Sequence, residues 1–149
     1  MKEELPRYLI SACLCGIPCR YDGSGRTEPT LLRLYQEGRA VLVCPECLGG
    51  LKIPRAPAEI RGAGIIDKTG KDVSAEFNKG AERVLAIAKK YGISRAILKE
   101  RSPSCGSNMI YDGTFNKRLV PGEGVATRLL REHGIIVCSE ENFQKLLTD

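Results

Sequence analysis

Seven cysteines stand in a chain of 149 residues that has one histidine and no tryptophan. They are Cys13, Cys15, Cys19, Cys44, Cys47, Cys105 and Cys138. An odd count does not fit a fully paired disulfide framework. The first eight residues carry Lys2, Glu3, Glu4, Pro6 and Arg7 without an apolar run, so they do not read as a secretory signal. The expected compartment is the cytoplasm, where thiols stay reduced and serve metal binding or thiol chemistry instead.

The spacing separates two kinds of thiol. Cys13, Cys15 and Cys19 form one close group and Cys44 and Cys47 another, as the ligands of a closed zinc site do. Cys105 stands alone in ERSPSCG. Lone cysteines from distant segments suit a cuboidal iron–sulfur cluster better than two knuckles. Three thiolates would leave one iron open as a Lewis acid with affinity for sulfur. Cys138 reads as a small core residue, and Cys15, Cys19 and Cys47 as secondary thiols. The CPEC segment has redox CxxC spacing, but Leu48-Gly49-Gly50 follows where such a motif would open a helix, which weakens that reading.

What must position these thiols is legible in the hydrophobic pattern. Residues 8–12, 40–43, 95–99 and 135–137 are short apolar runs without polar alternation, as in strands covered on both faces. Helical patterns separate them at residues 30–37, 73–91 and 124–132, and a last one is expected at 140–147. Gly38, Gly92 and Gly134 supply stops. Strand and helix therefore alternate, which predicts an α/β fold of one domain, residues 1–149, around a mostly parallel sheet of about four strands. Residues 48–72 and 106–123 interrupt the alternation as long loops, the first with a small hairpin expected around Thr69-Gly70. In a parallel sheet every carboxyl end faces one edge, and ligands bind there. Cys13, Cys44, Cys105 and Cys138 all fall at or just past strand ends, so three or four distant thiols are expected to converge.

Charge and composition narrow the partners. The net charge of +5 comes from 23 basic and 18 acidic residues without a long basic run, which permits an anionic small molecule and disfavours a DNA-binding surface. No stretch is long and apolar enough for a membrane span. Arg20, Arg55, Lys99 and Lys117 could contact a phosphate, although a solvated face is the simpler expectation for each. Tyr21-Asp22 and Tyr111-Asp112 belong to two YDG segments that read equally as turns or as walls of a base pocket. His133 is expected at a helix C-terminus, where capping explains it.

The ordered motifs SACLCGIPCRYDG, CPECLGGLKIPRAPAEI, GKDVSAEFNKGA, ILKERSPSCG, IYDGTF and GVATRLL resemble those of the thiouracil desulfidase family from about Ser11 to Glu141. The resemblance implies a three-layer Rossmann-like α/β domain. It further implies a [4Fe–4S] cluster held by Cys13, Cys44 and Cys105, with the fourth iron open to the substrate's sulfur. Two side chains follow for chemistry: Glu46 as base or proton shuttle for the attacking water, and Ser102 to orient it or pass a proton. Alone, Glu46 reads as a solvated turn residue and Ser102 as a turn former. The chain departs from the commoner family pattern at Cys15 and Cys47, where other residues are expected. The implied substrate is a thiolated pyrimidine, as base or mononucleotide in preference to tRNA. The competing classes are a non-catalytic zinc protein using Cys44, Cys47 and two N-terminal cysteines, and a thiol–disulfide oxidoreductase.

Overall fold

In the computed structural model, which describes residues 6–147, four of the short apolar segments become parallel strands. The charged start at Lys2–Glu4 lies outside the described residues. In chain order the elements begin with β1 (Tyr8–Ser11), a 3-10 turn (Ala12–Leu14), α1 (Pro29–Gln36), β2 (Ala40–Val43) and α2 (Pro45–Leu48). Two strands β3 (Ala58–Arg61) and β4 (Gly64–Asp67) follow, then α3 (Ser74–Tyr91) and β5 (Arg95–Leu98). The chain continues through β6 (Met109–Tyr111), β7 (Leu119–Pro121), α4 (Val125–Glu132), β8 (Ile136–Ser139) and a final 3-10 turn (Phe143–Leu146).

The sheet order is β2-β1-β5-β8, all parallel. Alternate residues feed opposite layers. Tyr8, Ile10, Ile97 and Cys138 pack with Leu31 and Leu34 of α1 and with Phe143 and Leu146. Leu9, Ala96, Leu98 and Val137 pack on the other face with Val84, Leu85 and Ala88 of α3 and Leu130 of α4. The result is the expected three-layer α/β architecture. The chain steps from β1 outward to β2, then crosses back to β5 on the other side of β1. The topological switch point therefore lies between β1 and β5.

The helices follow from their sequences. Pro29 opens α1, where its fixed φ and missing N–H cost nothing. In α3 the buried side chains Phe77, Ala81, Val84, Leu85 and Ala88 recur at helical spacing. Gly92 then ends the helix at φ 66°, with its N–H donating to the Ala88 and Lys89 carbonyls.

Four expectations need correction. A helix, α2, does open at Cys44 despite the following glycines, and the glycines are the reason it fits. Gly49 packs its backbone on Glu76 and Gly80 packs on Pro45, so a Cβ on either residue would overlap a carbonyl oxygen. The first long loop carries an additional hairpin, β3–β4, turning at Gly62-Ala63. The small hairpin expected around Thr69-Gly70 forms as well: the Asp67 N–H donates to the Lys71 carbonyl, the Val73 N–H to the Ile65 carbonyl, and Ile66 bridges Asp72. The second loop holds another hairpin, β6–β7. The helix expected at 140–147 shortens to a 3-10 turn at Phe143–Leu146, because the Ser139 N–H donates to Asn142 Oδ1 and the Asn142 N–H to the Ser139 carbonyl, which turns the chain first.

The α2–α3 contact generates a test. Gly→Ala in a helix interior ordinarily stabilises by about 1 kcal/mol. At Gly80 the sign reverses: Gly80→Ala is expected to destabilise by about 1–3 kcal/mol through overpacking against Pro45. Urea unfolding measures this, and a variant as stable as the parent would sink the close-approach reading.

Candidate functional site

A cavity of about 490 Å³ opens at the carboxyl edge of the sheet, over the switch point. Cys13 reaches it from the 3-10 turn after β1, Cys44 from the end of β2, and Cys105 from the segment after β5. Cys19 also lines it, while Cys15, Cys47 and Cys138 do not. Cys138 is buried in the core layer beneath α1, as its reading as core filler anticipated. The loop that returns through Cys19 closes the gap between the first two thiols. The Cys19 carbonyl lies 3.7 Å from Cys44 Sγ and 3.9 Å from Cys47 Sγ.

Glu46 sits in the first turn of α2 and points into the cavity, only 16% exposed. It is not a solvated turn residue. Arg55 donates to its Oε1 from Nε at 3.1 Å and Nη2 at 3.0 Å, and Nη2 also holds the Cys19 carbonyl at 3.0 Å. Arg55, 9% exposed, is thus a buried partner of Glu46 and not a solvated cation. Ser102 Oγ lies 3.3 Å and Ser104 Oγ 3.0 Å from Glu46 Oε2. Ser104 is also 3.6 Å from Cys105 Sγ, and Ser11 Oγ is 3.4 Å from the same sulfur. Ser11, Ser104 and the role of Arg55 were missed from sequence. The SPS run before Cys105 was the available signal.

Burial pushes the Cys105 thiol up to about 12, against the lowering pull of the Ser11 and Ser104 hydroxyls. The neighbouring Cys19 raises Cys44 strongly, and burial adds to it. Cys19 is raised to about 11, first by its contact with Cys13, and Cys47 to about 11, chiefly by burial. These thiols do not carry their own stabilised charge, so thiolates here call for a cation brought among them. A redox CxxC needs the opposite, a depressed nucleophile. A closed zinc site needs sulfurs roughly 3.8 Å apart around one ion. Among the described residues no three Cys, His, Asp or Glu side chains form such a group. Thiols delivered from three strand ends to one cavity suit a multi-iron cluster, whose cysteines each bind a different iron.

The remaining walls come from the two hairpins. Glu59 of β3 accepts the N–H groups of Gly113 (2.9 Å) and Phe115 (3.2 Å). Arg61 donates to the Gly113 carbonyl and lies over the Phe115 ring. This fastens the β6–β7 tip so that Tyr111, Phe115 and Lys117 line the cavity, as do Tyr21 and Arg20. The two YDG segments therefore divide their roles. Their tyrosines line the cavity, while Asp22 and Asp112 make turns by bonding Ser24 and Thr114. Lys99 lines the cavity but is paired with Glu140 at 2.8 Å. His133 bonds the Leu129 carbonyl at the end of α4, consistent with capping. Arg101, Phe115 and Lys117, the non-glycine residues at positive φ among those described, all line the cavity. Strain of this kind concentrates where a site dictates side-chain direction.

Fold and site together define a class: a doubly wound α/β protein whose switch-point cavity presents thiols, a carboxylate and aromatic walls to a small ligand. The chain belongs to the 2-thiouracil desulfurase family, whose model matches residues 8–142. A solved structure of the [4Fe–4S]-dependent thiouracil desulfidase TudS is 48% identical, with a TM-score of 0.91 and 95% of both chains covered. The uncharacterized protein YbbK of Bacillus subtilis (strain 168) is 44% identical over 149 residues, covering 93% of this chain and 99% of YbbK.

The segment that delivers Ser102, Ser104 and Cys105 is anchored by Glu100, which is 2% exposed. Burial alone would raise its carboxyl. The N–H groups of Asn108, Met109 and Ser107 and the Ser107 hydroxyl outweigh that and hold it down to about 2. The folded value lies below the ordinary 4.5, so the stability it contributes is present above pH 4.5 and lost as pH falls toward 2. The shift corresponds to on the order of 3 kcal/mol. Glu100→Gln is expected to lose a similar amount at pH 7 and to flatten the acid limb of urea-melt stability. An unchanged acid limb would show that the loop is held by something else.

Proposed function

We propose that this protein is a [4Fe–4S]-dependent desulfidase that converts a thiolated pyrimidine to the corresponding pyrimidinone. The observation that carries this reading is the single cavity lined by Cys13, Cys44 and Cys105 from three separate strand ends, with Glu46 beside them. Family membership and the likeness to TudS support the same reaction. When bound, the cluster supplies a Lewis-acidic iron with high affinity for sulfur.

The chain's own residues do the rest. Cys13, Cys44 and Cys105 are the proposed ligands. Tyr21, Tyr111 and Phe115 flank a flat ring and exclude water from its faces. Glu46 takes a proton from the water that attacks the thiocarbonyl carbon, through Oε2, since Oε1 is occupied by Arg55. The Ser102–Ser104 hydroxyl pair keeps that carboxylate oriented. One water enters, sulfide leaves, the ring carbon becomes a carbonyl, and no net electron transfer occurs. Arg20, Lys68 and Lys117 at the cavity suit the phosphate of a mononucleotide, so a free base or mononucleotide is the proposed substrate in preference to tRNA. Among the described residues no helix is long and apolar enough to cross a membrane. Seven free cysteines fit a reducing compartment, and the cytoplasm is the proposed location.

Protein reconstituted without oxygen is expected to be brown and to release sulfide from thiouracil, its nucleoside or its mononucleotide. A cluster-loaded sample that releases none from any of the three would overturn the reading. Serine at Cys13, Cys44 or Cys105 should remove cluster and activity together, whereas serine at Cys15, Cys19, Cys47 or Cys138 should spare the cluster. An active, fully loaded Cys105→Ser variant would refute the ligand set. Glu46→Gln should keep the visible spectrum and lose roughly 10²–10⁴-fold in kcat.

A further inference from the structure

Counting protons and lone pairs in the cluster of hydroxyls beside Glu46 gives each bond a direction. Ser102 Oγ accepts two main-chain N–H groups, from Ser104 and Cys105, each at 3.1 Å. A hydroxyl has two lone pairs and one proton, so Ser102 has only its proton left to give. Two acceptors are in reach, Ser104 Oγ at 2.8 Å and Glu46 Oε2 at 3.3 Å. The first distance is typical of O–H···O and the second is long for it. Ser102 therefore donates to Ser104.

The proton of Ser104 is then left for Glu46 Oε2 at 3.0 Å or Cys105 Sγ at 3.6 Å. Cys105 has another donor. Ser11 Oγ accepts the Lys99 N–H at 2.9 Å, which aims the Ser11 proton at Cys105 Sγ, 3.4 Å away. Ser104 serves the carboxylate. It is 1% exposed, so no solvent competes for its hydroxyl. With Oε1 filled by two Arg55 donors and one Oε2 lone pair filled by Ser104, a single lone pair of Glu46 remains for an incoming proton.

We propose that Ser104 is the positioning residue for Glu46, and that Ser102 acts on the carboxylate only through Ser104. This deepens the desulfidase reading and rests on it for the kinetic test alone. Infrared spectroscopy of the cluster-free protein supplies a test that needs no activity. The Glu46 carboxylate band is identified by its loss in Glu46→Gln. Ser104→Ala is expected to shift that band, and Ser102→Ala to shift it far less. No shift in Ser104→Ala, or an equal or larger one in Ser102→Ala, overturns the proposal. In the loaded enzyme, Ser104→Ala should lower kcat by roughly 10–100-fold while KM stays within about twofold, with the visible spectrum retained. The double variant S102A/S104A should be no slower than Ser104→Ala, because residues acting in series do not add. Multiplied losses would mean that Ser102 reaches Glu46 or the substrate independently, and would overturn it. Should Ser104→Ala fail to fold, Ser104→Cys carries the same comparisons, with shifts in the same direction and smaller. A wild-type enzyme releasing no sulfide would fail the desulfidase reading while leaving the infrared comparison intact.

Discussion

The site depends on β1, β2 and β5 running parallel. Parallel strands deliver every carboxyl end to one edge, and the β1/β5 switch point leaves a crevice there because the chain departs in opposite directions on either side. Cys13, Cys44 and Cys105, as many as 92 positions apart in sequence (from 13 to 105), meet only through that rule. Reversing any one strand would carry its thiol to the opposite edge. The apolar layers that fix strand direction, with Leu9 and Ala96 on one face and Tyr8, Ile10 and Ile97 on the other, therefore also locate the chemistry.

Around this edge, irregular backbone is held by buried carboxylates. Glu100 gathers the N–H groups of residues 107–109, Glu59 pins the β6–β7 tip, and Glu140 takes Lys99 Nζ and the Glu100 N–H. A buried carboxylate is costly unless its lone pairs are filled, and here they are filled by main-chain donors that would otherwise be unpaired. Among the described residues no buried side-chain nitrogen or oxygen lacks a partner. The loops are consequently specified by hydrogen-bond satisfaction, where the sheet is specified by apolar packing.

The thiols illustrate how one residue type takes different roles by placement. Cys138 is core, paired in register with Ile97 and covered by the α1 layer. Cys15 is buried beside a bridge to Thr27, outside the cavity. Cys47 lies one turn beyond Cys44 on α2 with its sulfur toward the Cys19 carbonyl. Cys19 shares the cavity and contacts both Cys13, its near neighbour in sequence, and Cys44, which is far along the chain. Tight crossing of α2 over α3 at Gly49 and Gly80 brings Cys44 and Glu46 into place together.

The sequence by itself determined the layered α/β architecture, the four core strands and the grouping of strand-end thiols. Apolar runs and helical periodicity are local signals, and the carboxyl-edge rule turns strand ends into a common place. Its motifs also named Glu46 and Ser102. Tertiary structure decided what depends on contacts between distant segments. That Arg55 is a buried partner and not a solvated cation follows from its meeting Glu46 and the Cys19 carbonyl at once. That a helix opens at Cys44 follows from two glycines 31 positions apart (49 to 80) letting backbones touch. That Ser11 attends Cys105 follows from β1 and β5 being neighbours, that Ser104 meets Glu46 follows from the ends of β2 and β5 sharing one edge, and that Tyr111 and Phe115 reach the cavity follows from one hairpin bonding the tip of another. No local period encodes these meetings, because each is fixed by the packing of elements whose partners lie far along the chain.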